Sequence, residues 1–200
     1  MSGLPTTETF VSHTSNALVK GTIAIQNSTL ITVAAPKLSI TLVQVILRGN
    51  TLTEQTIQLS KGWNIMSTNV CPADSSISTL FSELDVQEIK TMDSFWRKGQ
   101  NTSFNRLKSL TAGVGYLVNM NIEGKLIISG KPISSGLKTT NTKGWQLIGC
   151  PFQSTTLFSS IFNSTNCSSI KTFNGFWIPQ GTTNTITGFE PGKGYYLKKK

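Results

Sequence analysis

The sequence predicts an all-β protein with short helices, in which an N-terminal β segment precedes two tandem homologous β-rich units. Three observations support this fold class. Charged residues make up only 14% of the 200 residues, against about 25% in ordinary soluble domains. Apolar and polar residues alternate over several stretches, and a set of aromatic and glycine motifs occurs twice in the same order. Abundant Ser, Thr, Asn and Gly favour strands joined by polar turns over long helices.

The N-terminal segment divides into an arm and a β hairpin. Residues 1–17 are rich in Ser and Thr without periodicity, which predicts an arm that is loose unless a neighbour holds it. Residues 18–41 form the predicted β hairpin segment, because apolar and polar residues alternate on both sides of Asn27-Ser28 and Pro36 ends the pattern. A further strand over 38–47 is expected to bulge or to be buried on both faces, since its apolar phase switches after Leu42.

The rest of the chain contains an internal duplication, in which four blocks recur in order roughly 80 residues apart. They are Lys-Gly-Trp at 61–63 and 143–145, Cys-Pro at 71–72 and 150–151, Ile-Lys-Thr-x-x-x-Phe-Trp at 89–96 and 170–177, and Gly-x-Gly-Tyr at 113–116 and 192–195. Since 45–49 resembles 126–130, each unit is expected to open with a strand. The predicted repeat unit 1 covers 42–123, and repeat unit 2 covers 124–200.

One short helix is predicted in each repeat. In the first, Ile77, Leu80, Phe81 and Leu84 follow the helical spacing i, i+3, i+4 and i+7. The preceding Asp-Ser-Ser at 74–76 supplies N-cap residues. The counterpart at 157–162 has similar size and polarity but a less regular apolar face.

The aromatic residues of the repeated blocks are predicted to anchor the two cores. Bulky rings that recur at matched places are well suited to fill equivalent cores. Exposed tryptophans could instead form a platform for sugars or stack on nucleic acid bases. Core anchoring is preferred because the Gly-Trp pairs are followed directly by apolar residues. The predicted anchors are Trp63, Trp96, Tyr116, Trp145, Trp177 and Tyr195.

The polar residues do not form a recognisable catalytic or metal-binding pattern, so the chain is not expected to be an enzyme or to hold a cofactor. The single histidine, His13, lies in the predicted arm, which disfavours a histidine-dependent triad or zinc site. The densest acidic group, Glu83, Asp85 and Glu88, is expected at the exposed end of the first helix and has no counterpart in the second repeat. Asp93 is replaced there by Asn174, which disfavours a paired-carboxylate glycosidase.

The cysteines and the charge limit which sites and partners are expected. Cys71, Cys150 and Cys167 lack metal-ligand spacing and are predicted to be small buried thiols. The net charge of +9 favours an acidic partner. The basic residues are scattered, so a nucleic acid partner is not expected. No apolar run is long enough for a membrane span, and the first residues do not resemble a secretory signal.

The motif order Gly-Trp-Asn-Ile, then Pro, Phe-Trp and Gly-x-Gly-Tyr resembles a β-rich repeat module of microbial surface and secreted proteins and of proteins of large DNA viruses. The resemblance covers roughly residues 42–200. It implies an accessory or structural role and offers no catalytic residues to transfer to this chain. A shared fold does not by itself assign a function.

Two main functional hypotheses follow. The first is a structural protein of a larger assembly, namely a minor capsid or cement protein of a virion, held to other structural proteins such as a major capsid protein partly through the arm 1–17. The second is a glycan-binding or adhesion module of a bacterial surface or secreted protein, with ligand bound by the loops 97–106 and 179–187. The first places the chain in a virion and the second outside or on a cell. A nucleic acid binder is a third class, suggested only by the charge.

Overall fold

The N-terminal unit, Met1–Arg48, contains a three-stranded antiparallel sheet. The computed structural model describes the backbone of residues 6–14, 17–26 and 29–30, and both backbone and side chains of 52–134 and 136–200. The strands are β1 (Thr6–Thr14), β2 (Ala17–Gln26) and β3 (Thr29–Leu30), in the order β1-β2-β3. β2 and β3 pair across residues 27–28, where the sequence predicts a hairpin turn. The predicted strand 38–47 lies outside the described residues.

The expectation of a loose arm over 1–17 is wrong for Thr6–Thr14. These residues form β1, which pairs with β2 along its whole length, from Thr6 opposite Ile25 to Thr14 opposite Ala17. Threonine and valine are β-branched and favour extended backbone, although a threonine counts as polar in an alternation pattern. A Thr-rich strand is therefore easily mistaken for a polar arm.

The second unit, Gly49–Lys200, confirms the all-β fold class with short helices. Its strands are β4 (Thr53–Leu59), β5 (Gly62–Met66), β6 (Val70–Pro72), β7 (Val86–Lys90), β8 (Phe95–Arg97), β9 (Tyr116–Met120), β10 (Gly124–Pro132), β11 (Gly144–Gly149), β12 (Thr156–Leu157), β13 (Cys167–Lys171), β14 (Phe176–Trp177), β15 (Gly188–Phe189) and β16 (Gly194–Lys199). The helical elements are α1 (Ile77–Leu80) and a 3-10 turn (Phe158–Ser160).

The duplication appears in the structure as two four-stranded antiparallel sheets with the same strand order. The first is β5-β9-β7-β8 and the second is β11-β16-β13-β14. Each Gly-Trp block forms an edge strand, each Gly-x-Gly-Tyr block leads into the strand beside it, and each Phe-Trp block closes the far edge. Both sheets also have a register shift at matched places, before Glu88 in β7 and before Ser169 in β13.

A third sheet, β4-β10-β6, breaks this correspondence. β10 pairs antiparallel with β4, with Leu126 opposite Ile57. The side chains of Leu126 and Ile128 lie in the core of the first repeat, although the sequence assigns 124–200 to the second repeat unit. The matching segment 45–49 lies outside the described residues. Long-range strand pairing therefore decides which core β10 joins.

The predicted first helix is shorter than its apolar spacing suggests. α1 ends at Leu80, while Phe81 and Leu84 continue in a turn and still pack into or against the core. The N–H of Ile77 donates to the carbonyl of Lys108 at 3.0 Å, so the start of the helix is tied to a distant segment. In the second repeat the same place holds only the 3-10 turn. In both copies the first N–H of the helical turn donates to the carbonyl of a distant residue of the same chain, Lys108 in the first and Thr187 in the second.

Each repeat has its own hydrophobic core, and the motif tyrosine is central to each. Tyr116 and Tyr195 are almost completely buried. Their hydroxyls accept hydrogen bonds from the N–H of Thr111 at 2.6 Å and of Glu190 at 2.9 Å, in both cases five residues earlier. Burial raises the pKa of both phenols. The tyrosine therefore pins the loop that precedes its own strand.

The two repeats contact each other reciprocally. Met66 of the first bridges to Lys193 of the second, and Val114 of the first bridges to Ile148 of the second. Met66 corresponds to Ile148, and Val114 corresponds to Lys193, so both contacts join the Gly-Trp strand of one copy to the Gly-x-Gly segment of the other. When one residue of the first copy contacts a second residue of the other copy, and the same two positions also meet with the copies exchanged, the interface has two-fold symmetry.

The second glycine of each Gly-x-Gly-Tyr motif is required by this interface. A Cβ at Gly115 would lie 2.6 Å from the carbonyl oxygen of Ile148, and a Cβ at Gly194 would lie 2.8 Å from that of Met66. The backbones of the two repeats therefore approach where only glycine fits.

Candidate binding faces of the two repeats

The six predicted anchors divide into buried and exposed residues. The structure places Tyr116, Tyr195 and Trp177 in the cores, and Trp96 is partly buried against the first core. The prediction is wrong for Trp63 and Trp145, whose exposed fraction is 42% in each case.

Strand alternation explains why these two tryptophans face outward. Met66 and Ile148 point into the cores, and each lies three residues after its tryptophan. Side chains an odd number of residues apart on a regular strand point to opposite faces. The sequence contained this signal in its spacing, whereas the apolar character of the neighbouring residues was misleading.

The outward face of the first sheet carries Trp63 beside an ion-paired charge cluster. The register places Trp63, Asn119, Glu88 and Arg97 in one row across the strands. The Lys90 Nζ lies 5.2 Å from the centroid of the Trp63 ring. The Glu88 carboxylate is ion-paired at 3.0 Å with both Lys90 and Arg97. The cations beside this tryptophan therefore already have an acidic partner.

Glu88 does not lie where the sequence placed it. It was expected with Glu83 and Asp85 at the exposed end of the first helix. It lies instead in β7 and is 7% exposed. The cause is the short α1, which leaves room for the chain to enter β7 at Val86.

The outward face of the second sheet carries Trp145 beside cations without an acidic partner. The Nζ atoms of Lys171 and Lys198 lie 5.4 Å and 5.7 Å from the centroid of the Trp145 ring. Tyr196 meets the same ring edge-on, with centroids 6.5 Å apart. Among the described residues, no carboxylate lies within 4.0 Å of either ammonium group.

Two equivalent grooves run beside these tryptophans, at the junction of the repeats. The first has a volume of about 620 Å³ and lies between the Trp63 strand and the turn of Phe173 in the other repeat. The second has a volume of about 600 Å³ and lies between the Trp145 strand and the turn of Met92. Phe173 and Met92 are both exposed. Each groove therefore pairs an exposed tryptophan with a large exposed apolar side chain.

The polar linings of the two grooves differ. The first contains Glu190 and Lys193, which form an ion pair at 2.7 Å. The second contains Lys138 and Lys143 together with Asp93. None of these three makes an ion pair within 4.0 Å among the described residues. The second groove is therefore the more basic of the two.

Side-chain amides fasten the turns that precede the edge strands bordering the grooves. The Asn64 amide accepts from the Ser60 N–H at 2.9 Å and donates to the Ser60 carbonyl. In the second repeat the Gln146 amide accepts from the Thr140 N–H at 2.9 Å and donates to the Thr140 carbonyl. The residue after each Gly-Trp pair therefore holds the turn before its own strand in place.

The cysteines do not share one environment. Cys150 and Cys167 are buried, and burial raises the pKa of each thiol to about 11. Cys71 is exposed, so its prediction as a buried thiol is wrong. It follows Val70 on the three-residue strand β6, where alternation turns it outward. All three thiols are free.

The described part of the chain offers no cluster of three or more His, Cys, Asp or Glu that could hold a metal ion. Within that same part, no helix is long and apolar enough to cross a membrane.

Comparisons with protein-family models, characterised proteins and solved structures found no match. Among the described residues, the exposed tryptophan faces and their grooves are the candidate binding sites.

Proposed function

We propose that the chain is a non-catalytic structural protein of a larger assembly, namely a minor capsid or cement protein of a virion. The observation that carries the proposal is the pair of equivalent grooves, each with two large exposed apolar side chains. Clustered apolar side chains on a surface mark protein–protein contacts. A duplicated site suits a protein that joins two copies of one partner, such as a major capsid protein.

The surface supports this proposal beyond the grooves. Ten large apolar side chains are exposed in the described part of the chain, and the net charge of +9 favours an acidic partner surface. The exposed side chains are Leu52, Trp63, Met92, Phe104, Ile122, Ile127, Trp145, Leu157, Phe173 and Ile178. The arm 1–17 supports partner contact less than the sequence suggested, because Thr6–Thr14 pair with β2.

The test is incorporation into purified particles from the organism that encodes the chain, measured by quantitative mass spectrometry. The chain is expected at a fixed ratio to a major structural protein. A variant with Met92→Ser and Phe173→Ser removes one exposed apolar side chain from each groove and is expected to reduce incorporation several-fold. Phe104→Ser is the matched control, because Phe104 is exposed outside both grooves. Absence from particles, or equal incorporation of all variants, contradicts the proposal.

A second candidate function is glycan binding by an adhesion module, and the two exposed tryptophans favour it. An aromatic ring that is open on one side can stack against the apolar face of a sugar, while neighbouring polar groups bind its hydroxyls. The purified full-length chain would then bind members of a glycan array. A groove variant that loses particle incorporation but keeps glycan binding would separate the two functions.

A further inference from the structure

The two outward sheet faces have the same architecture but different charges. In the first, Asn119 and Glu88 follow Trp63 across the strands. In the second, Lys198 and Ser169 occupy the corresponding places beside Trp145. The second face therefore has a lysine where the first has Asn119, and it lacks the only carboxylate of the first row.

This difference leaves two ammonium groups close to one aromatic ring. The attraction of a cation to the face of a tryptophan ring is worth roughly 0.5–1 kcal/mol at an exposed site. Both Lys171 and Lys198 are exposed and make no ion pair within 4.0 Å among the described residues. An anionic group beside the Trp145 ring would be attracted by both lysines.

We infer that the face formed by Trp145, Lys171 and Lys198 binds an acidic glycan built from uronic acids. The sugar ring stacks on Trp145, and its carboxylate, which is attached directly to the sugar ring, meets the two ammonium groups that lie 5.4 Å and 5.7 Å from the centroid of the tryptophan ring. The inference rests on the second candidate function, glycan binding, and names its ligand and its site. Charge complementarity assigns the ligand to this face and not to the equivalent face around Trp63.

An acidic peptide strand fits this sheet less well, because both edges are covered. At the far edge, the N–H groups of Phe176 and Ile178 donate to Thr185 Oγ1 at 2.9 Å and to Asn184 Oδ1 at 2.8 Å. At the near edge, Ile148 of β11 forms a backbone bridge to Val114 of the other repeat. Strand addition needs free backbone groups along an edge.

A single-stranded nucleic acid also fits less well. Proteins that bind such strands stack successive bases on several aromatic side chains along a basic groove. On this face Trp145 offers one ring, and Tyr196 meets it edge-on instead of extending the platform. One aromatic ring with two cations within 5.7 Å of its centroid matches one charged sugar.

The test is calorimetric titration of the full-length chain with a six-residue oligogalacturonate. Its fully methyl-esterified form is the matched neutral ligand, since the backbone is unchanged and the carboxylates are lost. The acid form is expected to bind, with affinity that falls as salt is raised. The methyl ester is expected to bind at least tenfold more weakly. An oligonucleotide of equal charge is expected to bind more weakly than the acid form.

Matched variants locate the site. Trp145→Ala is expected to weaken binding of the acid form at least tenfold, and Lys171→Gln with Lys198→Gln to weaken it and flatten its salt dependence. Trp63→Ala is the control, because it removes an equally exposed tryptophan, and it is expected to change affinity less than twofold. Thermal unfolding of each variant verifies that the fold is kept.

The outcomes separate the site from the function. Binding of the acid form that Trp145→Ala leaves unchanged overturns this inference, while glycan binding as a function stands. Equal binding of acid and methyl ester overturns the charge argument and also leaves glycan binding standing. Stronger binding of the oligonucleotide assigns the face to nucleic acid and overturns the inference. Binding of neither sugar form overturns the inference, and failure to bind any member of the glycan array overturns the candidate function as well.

Discussion

Substitution of Gly115 by alanine tests the account of the interface between the repeats. The new Cβ would lie 2.6 Å from the carbonyl oxygen, 2.8 Å from the carbonyl carbon and 3.0 Å from the nitrogen of Ile148. The shortest of these distances is about 0.9 Å below the ~3.5 Å at which carbon atoms begin to pack favourably. All three atoms belong to the backbone of β11, so no side chain can rotate away.

The expected cost is that of overpacking, roughly 2 kcal/mol in the free energy of unfolding, which lowers the melting temperature by roughly 4–8 °C in a unit of this size. Urea and thermal unfolding, followed by circular dichroism, measure it. Gly136→Ala is the control, since a Cβ there meets nothing within 4 Å. It is expected to change stability by less than about 0.5 kcal/mol.

The reciprocal glycine adds a second measurement. Gly194→Ala strains the same interface from the other repeat, with its Cβ 2.8 Å from the carbonyl oxygen of Met66. Either substitution alone is expected to move the two backbones apart, and the second substitution then meets less steric overlap. The double variant is therefore expected to lose less free energy of unfolding than the sum of the two single losses. The reasoning is refuted if Gly115→Ala is as stable as Gly136→Ala.

Four further predictions concern buried groups in the two repeats. Glu88→Ala is expected to lower the free energy of unfolding by roughly 1–3 kcal/mol, because two cations lose their partner; a urea midpoint equal to that of the native chain would contradict this. Tyr195→Phe leaves a backbone N–H without its acceptor and is expected to cost roughly 1–3 kcal/mol, with little change in the denaturant slope. In the native chain at pH 8, only Cys71 is expected to react with a thiol reagent, whereas Cys150 and Cys167 react after unfolding; a count of three reactive thiols in the native state would be inconsistent with their burial. Because their pKa values are raised from 9.0 to about 11, the folded state holds protons that the unfolded state loses, so stability is expected to fall as pH rises from 9 to 11.

Sequence patterns were sufficient for the features that depend on local spacing. Alternation predicted the strand content, and the recurring blocks predicted two similar units. The buried positions of Tyr116, Tyr195 and Trp177 agree with the idea that the motif rings fill equivalent cores. These features follow from periodicity and from the turn residues that interrupt it.

The remaining features depend on pairing between distant segments. The sequence could not show that β10 would join the first core, or that α1 would end at Leu80 with its first N–H bonded to Lys108. The alternation of side chains along a strand indicated that Trp63 and Trp145 face outward. The apolar residues that follow them led to the opposite prediction. The basic face around Trp145 was missed because its two lysines are 27 residues apart along the chain and meet only through strand register.

The reciprocal contact between the repeats has a consequence for how the two faces could diverge. A homodimer built from one such repeat would carry every substitution twice, so that Glu88 or Ser169 would appear on both faces. Joining the copies in one chain keeps the interface at a high effective concentration regardless of protein level. It also allows the two outward faces to differ in sequence. The molecule can therefore carry one ion-paired face and one cationic face while its two repeats keep the same fold and the same reciprocal interface, which a homodimer of one repeat could not do.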